Sequence, residues 1–462
     1  MKTKISTRLG NVLFWSIISA AFIGPGTVTT ASKAGAYFHY DLMWTMIFAI
    51  IGCLTLQEGV ARIAINSERS LAQAIGEHYK NKKSRFFIIP AIIGAIIIGG
   101  AAYETGNILG SIEGLFFIIP NIKKTNLILI VIVFVFFAFR MKSIRLIAQI
   151  LGIFVYLMGI SFIVTAFSVK PEFIRVIRGI VIPTIPNVSG AGLLILGIIG
   201  TTIVPYDLFL GSGIVDKKQT IFDARLGLSI SIILGGLITM AIMAVGSSLT
   251  EGWTPEAIAE LDFNFNFIKQ GLYLNSYIND YALYIFGFGI FAAGLTSAIT
   301  APLASSLTAK GLSKIAPEKW TNKGLYFNLI TLGTLSVGAT FGFLQIKPIP
   351  AIILAQALNG FILPFVCIFV LIIINNPFIM KGKINSLFGN IMLDFVLWIT
   401  LSIGFFNILK AIENAFKLKI NSAEIFPIIA ILNLIISIFV LLKVYKKRRK
   451  EIKKYQSQNA SI

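Results

Sequence analysis

The chain has 462 residues, of which 56% are hydrophobic and 13% are charged, whereas ordinary soluble domains are about 25% charged. This composition excludes a soluble globular protein and predicts a polytopic membrane protein. The formal net charge of +20 is carried by alternate loops and both ends of the chain, so no nucleic-acid partner is expected. The positive-inside rule then places both termini in the cytoplasm and predicts an integral protein of the inner or plasma membrane.

Twelve apolar segments are each predicted to cross the bilayer, for which a helix needs about 20 residues. These spans cover residues 11–34, 41–65, 86–109, 124–140, 143–168, 189–214, 222–248, 281–309, 324–344, 349–374, 387–409 and 423–445. We expect a single transmembrane domain with five helices in each of two repeats, so that the second repeat is inverted in the membrane. Its parts are a first repeat over 11–168, a second repeat over 189–374, two accessory helices over 387–445 and a basic cytoplasmic tail over 446–462.

The first and sixth spans are interrupted by residues that break helices. The interruptions are Gly-Pro-Gly-Thr at 24–27 and Thr-Ile-Val-Pro at 202–205. Unpaired backbone survives in a bilayer only where it is buried or lines a cavity. Two such breaks at matching places in two repeats are typical of the binding site of a secondary transporter. We therefore expect each span to be two half-helices, with the breaks facing each other near the middle of the membrane.

Three ionisable residues at membrane depth are candidates for function, because charges there are costly. Asp207 follows the second break, Glu104 lies in a helix of small residues, and Lys33 lies in the later part of the first span. Lys33 is expected either to snorkel to the outer surface or to pair with Asp207. Unwound carbonyls suit a cation, whereas free N–H groups suit an anionic group. The residue types alone therefore leave a metal ion and an amino-acid-like solute both open.

Other polar residues in the apolar segments are interpreted as structural. Glu58 and Arg62 are four residues apart on one helix face and are expected to pair. Asp394 is expected to be a structural residue of the accessory helices. No nucleophile–base pair, phosphate loop or metal-ligand cluster of Cys and His is present, so neither an enzyme nor a cofactor is expected.

Several ordered segments resemble one known family. AAFIGPGTVTTASKAGAYFHYDLMW, GIIGTTIVPYDLFLGSGIV, FGFGIFAAGLTSAITAPLASSL and AIILAQALNGFILPF are similar to the first, sixth, eighth and tenth helices of the Nramp (natural resistance-associated macrophage protein) family. The resemblance covers residues 10–375. It implies an all-α, LeuT-type fold with a 5+5 inverted repeat and about twelve transmembrane helices. It also implies proton-coupled transport of divalent metals such as manganese and iron.

The residues expected to bind the substrate depart from the family pattern. The family has Asp-Pro-Gly-Asn at the first break and Met-Pro-His-Asn at the second; here Gly24 replaces the aspartate and Val204 replaces the methionine. The tenth-helix glutamine of the family is retained as Gln356. The resemblance therefore implies a substrate site of Gly24, Gly26, Thr27, Thr201, Val204, Asp207 and Gln356. Four of these are the expected metal contacts: Thr27, Thr201, Asp207 and Gln356.

The proton pathway implied by the resemblance is also incomplete. Glu104 takes the place of an aspartate, but its acidic neighbour in the family is Asn107 here, and a histidine of the sixth helix is Tyr206. The paired arginines of the ninth helix are not evident, and Lys323 is the nearest cation. Glu104, Tyr206 and Lys33 remain candidates for a charge relay, and we expect proton co-transport to be weak or absent.

Two transport hypotheses follow from this altered site. A donor set of oxygens without a thioether predicts a hard, partly hydrated cation such as Mg²⁺ rather than Mn²⁺ or Fe²⁺. The alternative is a small organic solute such as an amino acid, whose carboxylate would sit on the glycine-rich segment at 24–26. The expected partners are this substrate, the lipid bilayer and, if coupling is retained, a proton. A non-transporting sensor or scaffold has no supporting feature in the sequence.

Overall fold

Helices form almost all of the computed structural model. It describes residues 23–79, 81–138, 144–186, 188, 190–215, 219–261, 263–264, 268, 281–313, 317–321, 324–344, 346–416 and 422–460. The α-helices within these ranges are α1 Pro25–Phe38, α2 Trp44–Ser67, α3 Leu71–His78, α4 Lys82–Ile118, α5 Lys124–Ala138, α6 Ile144–Ser168, α7 Phe173–Val181, α8 Ala191–Thr202, α9 Pro205–Ile214, α10 Ile221–Ser248, α11 Pro255–Ala259, α12 Tyr281–Leu312, α13 Leu325–Phe343, α14 Pro348–Ile374, α15 Leu387–Phe416 and α16 Ser422–Ala460.

The predicted spans correspond to these helices. Within the described ranges, nine helical segments are long and apolar enough to cross a membrane, and α5 and α6 hold two shorter apolar segments. One of the nine combines α8 and α9, which together form the predicted sixth span. Helix α1 supplies the later part of the first span, whereas residues 11–22 lie outside the described residues. The all-helical class is therefore confirmed, and the described helices follow the predicted order of spans.

The structure also contains elements that the hydropathy pattern does not show. Helices α3, α7 and α11 have only 8, 9 and 5 residues, which is too short for a membrane-spanning signal. Helix α3 is fixed at its start by a capping box between Ser70 and Gln73. Helix α16 does not end with the apolar segment at residue 445 but continues to Ala460. The basic sequence after residue 445 is thus helical through Ala460.

Helices α1 and α10 pack together through glycines. A Cβ added at Gly35 would collide with the backbone carbonyl of Met243, and one at Gly246 would collide with the carbonyl of Ser32. Close backbone approach at small residues is the usual way in which membrane helices associate, because lipid supplies little hydrophobic drive for their contact. The later half of the first span is therefore held tightly against α10.

Large apolar side chains cover the outside of the bundle. Phe137 on α5, Ile153 on α6 and Ile435 on α16 are each about 60% exposed. In a bilayer such side chains face lipid, while the backbone polar groups are satisfied inside each helix. The polar side chains described next are buried in the interior, where α1, α4, α8, α9 and α14 meet.

Candidate functional site

Helix α1 begins at the first break. Pro25 occupies its first turn, and Gly24 before it is extended, with φ −93° and ψ 177°. Proline suits the first turn of a helix because its missing N–H would have no intrahelical partner there. The described residues thus confirm that a helix starts at this break. The half of the first span before it lies outside the described residues.

The sixth span is broken as predicted. Helix α8 ends at Thr202, where the Ile203 N–H donates to the Ile199 carbonyl at 2.8 Å. Val204 is extended, and α9 begins at Pro205. Two residues of non-helical backbone therefore separate the two half-helices inside the bundle.

The two breaks face each other across a small cavity. The hydroxyl oxygens of Thr27 and Thr201 lie 2.8 Å apart and join the two segments. The cavity has a volume of about 20 Å³, which is room for one water or one small ion. It is lined by Gly24, Gly26, Tyr103, Gly106, Asn107, Thr201, Ser297, Ile352, Ala355 and Gln356.

Gln356 closes one side of this cavity. The Thr30 hydroxyl donates to its Oε1, while its Nε2 is buried with no hydrogen-bond partner. A Cβ added at Gly26 would collide with that Nε2, so glycine at position 26 leaves the space that the amide group occupies. If the amide turned over, Thr30 would accept from Nε2 and Oε1 would be free to bind a cation in the cavity.

Two buried tyrosines stand beside the second break. The Tyr103 hydroxyl donates to the Gly200 carbonyl at 2.7 Å. Its ring meets the ring of Tyr206 edge-on, with the centroids 5.5 Å apart. Tyr103 thereby ties α4 to the end of α8. Tyr206 does not line the cavity but supports the residue that does.

Glu104 lies behind the cavity wall. It is completely buried, and its Oε2 accepts a long hydrogen bond of 3.5 Å from the amide of Asn107, which lines the cavity. Its Oε1 has no hydrogen-bond partner. Asn107 thus connects the cavity to a carboxyl group on the same helix.

Asp207 is buried in the first turn of α9 but does not line the cavity. Neither of its carboxyl oxygens has a hydrogen-bond partner. Cys53 and the two tyrosines are near enough to interact with it electrostatically. A buried carboxylate without a partner carries a large desolvation cost. This residue therefore requires either a proton or a nearby cation.

The remaining predicted site residues are dispersed. Val204 is buried at the start of α9 and does not line the cavity. Lys33 forms no ion pair with Asp207; its ammonium instead lies 5.1 Å from the ring centre of Tyr37 and 5.9 Å from that of Phe263. Lys323 lies outside the described residues.

The two residues interpreted as structural do form local contacts. Glu58 accepts from Arg62 at 2.9 Å and also from Arg225 at 2.7 Å, and Asp394 accepts from Ser437 at 3.3 Å. The sequence interpretation missed Tyr103 and Ser297 as lining residues. Tyr103 directly precedes Glu104 in a helix of small residues, which was an available signal. Ser297 was one hydroxyl among many in an apolar helix.

No group of three or more His, Cys, Asp or Glu side chains that could hold a metal ion occurs among the residues that the structure describes. The polar atoms around the cavity are hydroxyl and amide groups. Any cation there would be held by neutral oxygens, and its charge would have to be balanced by residues that do not line the cavity.

A bundle of apolar helices in which the start of α1 meets the break between α8 and α9 at a buried cavity is the arrangement of a membrane protein of the LeuT type. The chain belongs to the Nramp family: the profile described as "Natural resistance-associated macrophage protein-like" matches residues 16–410. A similar protein is the divalent metal cation transporter MntH of Klebsiella pneumoniae subsp. pneumoniae, which is 22% identical over 377 residues, or 80% of this chain and 86% of that one.

Solved structures share the fold at lower sequence identity. The manganese transporter of Eremococcus coleocola, in complex with an aromatic bis-isothiourea compound, matches with a TM-score of 0.68 and 18% identity, covering 98% of this chain and 97% of that chain. Mhp1, a nucleobase-cation-symport-1 family transporter in a closed conformation, matches with a TM-score of 0.53 and 14% identity over 95% and 93% of the two chains. These likenesses confirm the LeuT-type fold.

Proposed function

We propose that this chain is a secondary transporter that moves a divalent metal cation through the cavity between its two helix breaks, and that it favours hard ions such as Mg²⁺ over Mn²⁺. Membership of the Nramp family supports the transport of a divalent metal. The observation that carries the selectivity is the cavity lining, in which oxygen and amide groups are present and sulfur and imidazole are absent from the described lining residues. Neutral and anionic oxygens are the ligands that Mg²⁺ prefers, whereas thioether sulfur favours softer metals.

The proposed contacts are the hydroxyl of Thr201 and the amide oxygen of Gln356, which line the cavity, and the hydroxyl of Thr27, which lies beside it in contact with Thr201. The two hydroxyls already lie together, and the glutamine amide needs only to turn over to present its oxygen. Gly24 and Gly26 leave the space for the ion. Mg²⁺ usually keeps several of its waters, so few protein ligands suffice, and the cavity would have to widen beyond its volume of about 20 Å³ to admit the hydrated ion.

Asp207 is proposed to balance the charge of the ion. Its two oxygens have no hydrogen-bond partner, and a cation in the adjacent cavity would stabilise the ionised form that burial disfavours. It would stabilise the bound ion electrostatically and not as a direct ligand, because Asp207 does not line the cavity. Val204 supplies no ligand atom.

We propose that the protein lies in the cell membrane with both termini in the cytoplasm and acts in transport rather than catalysis. We also propose that proton coupling is weak or absent. Glu104 reaches the cavity only through Asn107, and an amide cannot release a proton at physiological pH as a second carboxylic acid could. The described lining of the cavity has no charged side chain to pair with the ammonium or carboxylate of an amino acid, so this lining does not favour the organic solute.

The test is uptake by the purified protein in proteoliposomes, with Mg²⁺, Mn²⁺ and alanine supplied separately and in competition. We expect saturable Mg²⁺ uptake and no uptake of alanine. The apparent affinity for Mn²⁺ should be no higher than that for Mg²⁺. Micromolar Mn²⁺ uptake that strongly outcompetes Mg²⁺ would contradict the proposed selectivity.

The charge-balancing role is tested with Asp207→Asn, which keeps the side-chain shape. We expect this variant to fold and to lose cation uptake, whereas the matched control Asp394→Asn, in the accessory helices, keeps it. Unchanged uptake in Asp207→Asn would remove Asp207 from the site.

A further inference from the structure

A second, larger pocket lies further along α1 and α14, on the side of the cavity that is predicted to be external. We call it the outer vestibule and define it by Lys33, Glu113, Lys124, Lys347 and Ile349, which are among its lining residues. Lys33 follows Gly26 on α1 by seven residues, and Ile349 precedes Ile352 on α14 by three. At about 1.5 Å per helical residue, the vestibule is centred about 5–10 Å from the cavity along the helix axes. It opens at the end of the bundle predicted to be external.

The charge of the outer vestibule is unusual for the approach to a cation site. Three lysines line it, and Glu113 is the one carboxylate in the described part of its lining. Glu113 is already engaged, because its Oε1 lies 2.5 Å from the ammonium of Lys124. Neither Lys33 nor Lys347 has a carboxylate within ion-pair distance among the residues that the structure describes. The adjoining pocket adds a further lysine, Lys123.

The three lysines of the outer vestibule are positioned by rigid elements. The half-buried Lys33 is held against the rings of Tyr37 and Phe263 by cation–π contacts. Lys347 directly precedes Pro348, the first residue of the 27-residue helix α14, and the positive end of that helix adds to its charge. Lys124 begins α5. Three helices thus direct positive charge into one pocket, and the single carboxylate in its described lining, Glu113, offsets only one of the three lysines.

We propose that the outer vestibule binds a small multivalent oxyanion, such as a phosphate or a tricarboxylate, through Lys33, Lys124 and Lys347. Several ammonium groups converging on one anion form charge-assisted hydrogen bonds, which are the strongest of their kind. The bound anion would also offset the positive field that otherwise opposes the entry of a divalent cation. The binding itself does not depend on the proposed transport function; its effect on cation entry does.

The binding is tested by isothermal titration of the purified full-length protein without any divalent cation. Citrate, inorganic phosphate and acetate are titrated separately at constant ionic strength. We expect saturable binding of citrate and of phosphate and none of acetate, which carries a single charge. The absence of saturable binding of both multivalent anions would overturn the proposal.

Variants decide whether these lysines hold the anion. Losing one charged hydrogen-bond donor should weaken binding about tenfold, so Lys33→Gln and Lys347→Gln should each do so. Lys33→Arg keeps the charge and should keep the affinity. Lys383→Gln removes an exposed lysine in the loop between α14 and α15 and serves as the control. Unchanged binding in Lys33→Gln and Lys347→Gln, or an equal loss in Lys383→Gln, would overturn the assignment.

The effect on entry is measured in proteoliposomes at a fixed concentration of free Mg²⁺, with and without external citrate. We expect citrate to increase uptake by the wild-type protein and not by Lys33→Gln. Mg²⁺ uptake that is insensitive to citrate in the wild type would overturn the effect on entry. If no cation is taken up at all, the proposed transport function fails, while the titration still decides the anion site.

Discussion

Thr27 and Thr201 place their hydroxyl oxygens 2.8 Å apart although 174 residues separate them in the chain. One belongs to the first broken span and the other to the sixth, so this single contact joins the two repeats at their centre. Thr201 lines the cavity, so the contact holds the start of α1 beside the cavity wall.

The hydroxyl pair should act as a unit. Thr27→Val and Thr201→Val should each weaken Mg²⁺ binding about tenfold, and the double variant should lose less than the sum, because each single change already removes the shared bond. Titration calorimetry of the four proteins measures this coupling. Thr29→Val is the matched control, since the Thr29 hydroxyl is buried on the same helix without a partner. Additive losses would show that the two hydroxyls act independently.

Gly26→Ala should close the cavity. The added methyl group would occupy the place of the Gln356 amide, so we expect loss of cation uptake with the protein still folded. Gly94→Ala provides the control, because a Cβ there meets no atom within 4 Å and alanine favours a helix by about 1 kcal/mol over glycine. Uptake by Gly26→Ala equal to that of Gly94→Ala would show that the cation does not pass this point.

Gly24→Asp should strengthen cation binding. Gly24 has an ordinary extended backbone, and a Cβ there would come no closer than 3.7 Å to the Ser297 hydroxyl, so a side chain fits beside the cavity. Adding a charged oxygen ligand should raise affinity for Mg²⁺ and Mn²⁺ by about tenfold or more. Titration of Gly24→Asp and of the uncharged Gly24→Asn tests this. Equal affinities in the two variants would exclude a role for the added charge.

Glu104→Gln should change neither cation uptake nor proton movement, because we propose that proton coupling is weak or absent. The Glu104 Oε1 has no hydrogen-bond partner, so a neutral amide of the same shape is tolerated in the fold. The measurement is the internal pH of proteoliposomes during Mg²⁺ uptake. Acidification by the wild-type protein that disappears in Glu104→Gln would show that proton coupling is intact.

The docking of the C-terminal helix should weaken in acid. The Nε2 of His78 on α3 lies 2.7 Å from the ammonium of Lys447 on α16. Burial, and secondarily the charge of Lys447, lower the pKa of His78 from 6.5 to about 4. In the undocked state the ring takes up a proton near pH 6.5, so docking is strongest above that pH. It should be lost progressively as the pH falls towards about 4.

This pH dependence can be followed by the distance between spin labels at the exposed positions Lys383→Cys and Lys454→Cys. We expect the distance distribution to broaden below pH 6.5. His78→Gln should abolish the dependence, while His39→Gln, at the other histidine, should keep it. A distribution that is constant down to pH 4.5 would exclude the switch, because about a quarter of a group with a pKa of about 4 is then protonated.

The sequence predicted the fold well because the relevant signals are local. Apolar length determines the spans, and Pro205 necessarily interrupts the helix that precedes it. The capping box that starts α3 was also present in the sequence, as Ser70 and Gln73, but an eight-residue helix carries no hydropathy signal. The continuation of α16 to Ala460 was missed because its residues change from apolar to basic without a residue that breaks the helix.

The site was predicted less completely, because adjacency to a break does not define the direction of a side chain. Asp207 and Thr201 both border the second break, yet only Thr201 lines the cavity. Lys33 shares a helix with Gly26 but lies two turns away, in the outer vestibule. Whether it could pair with Asp207 depended on the packing of α1 against α9, which no pattern in either segment encodes.

The glycine contact between α1 and α10 limits how the protein can change shape. With the backbone at Gly35 against Met243 and that at Gly246 against Ser32, the two helices have no side-chain layer in which to slide past each other. We expect the two helices to move together when the protein changes conformation. A bulkier residue at position 35 or 246 would therefore impair the conformational cycle of the protein without touching any ligand.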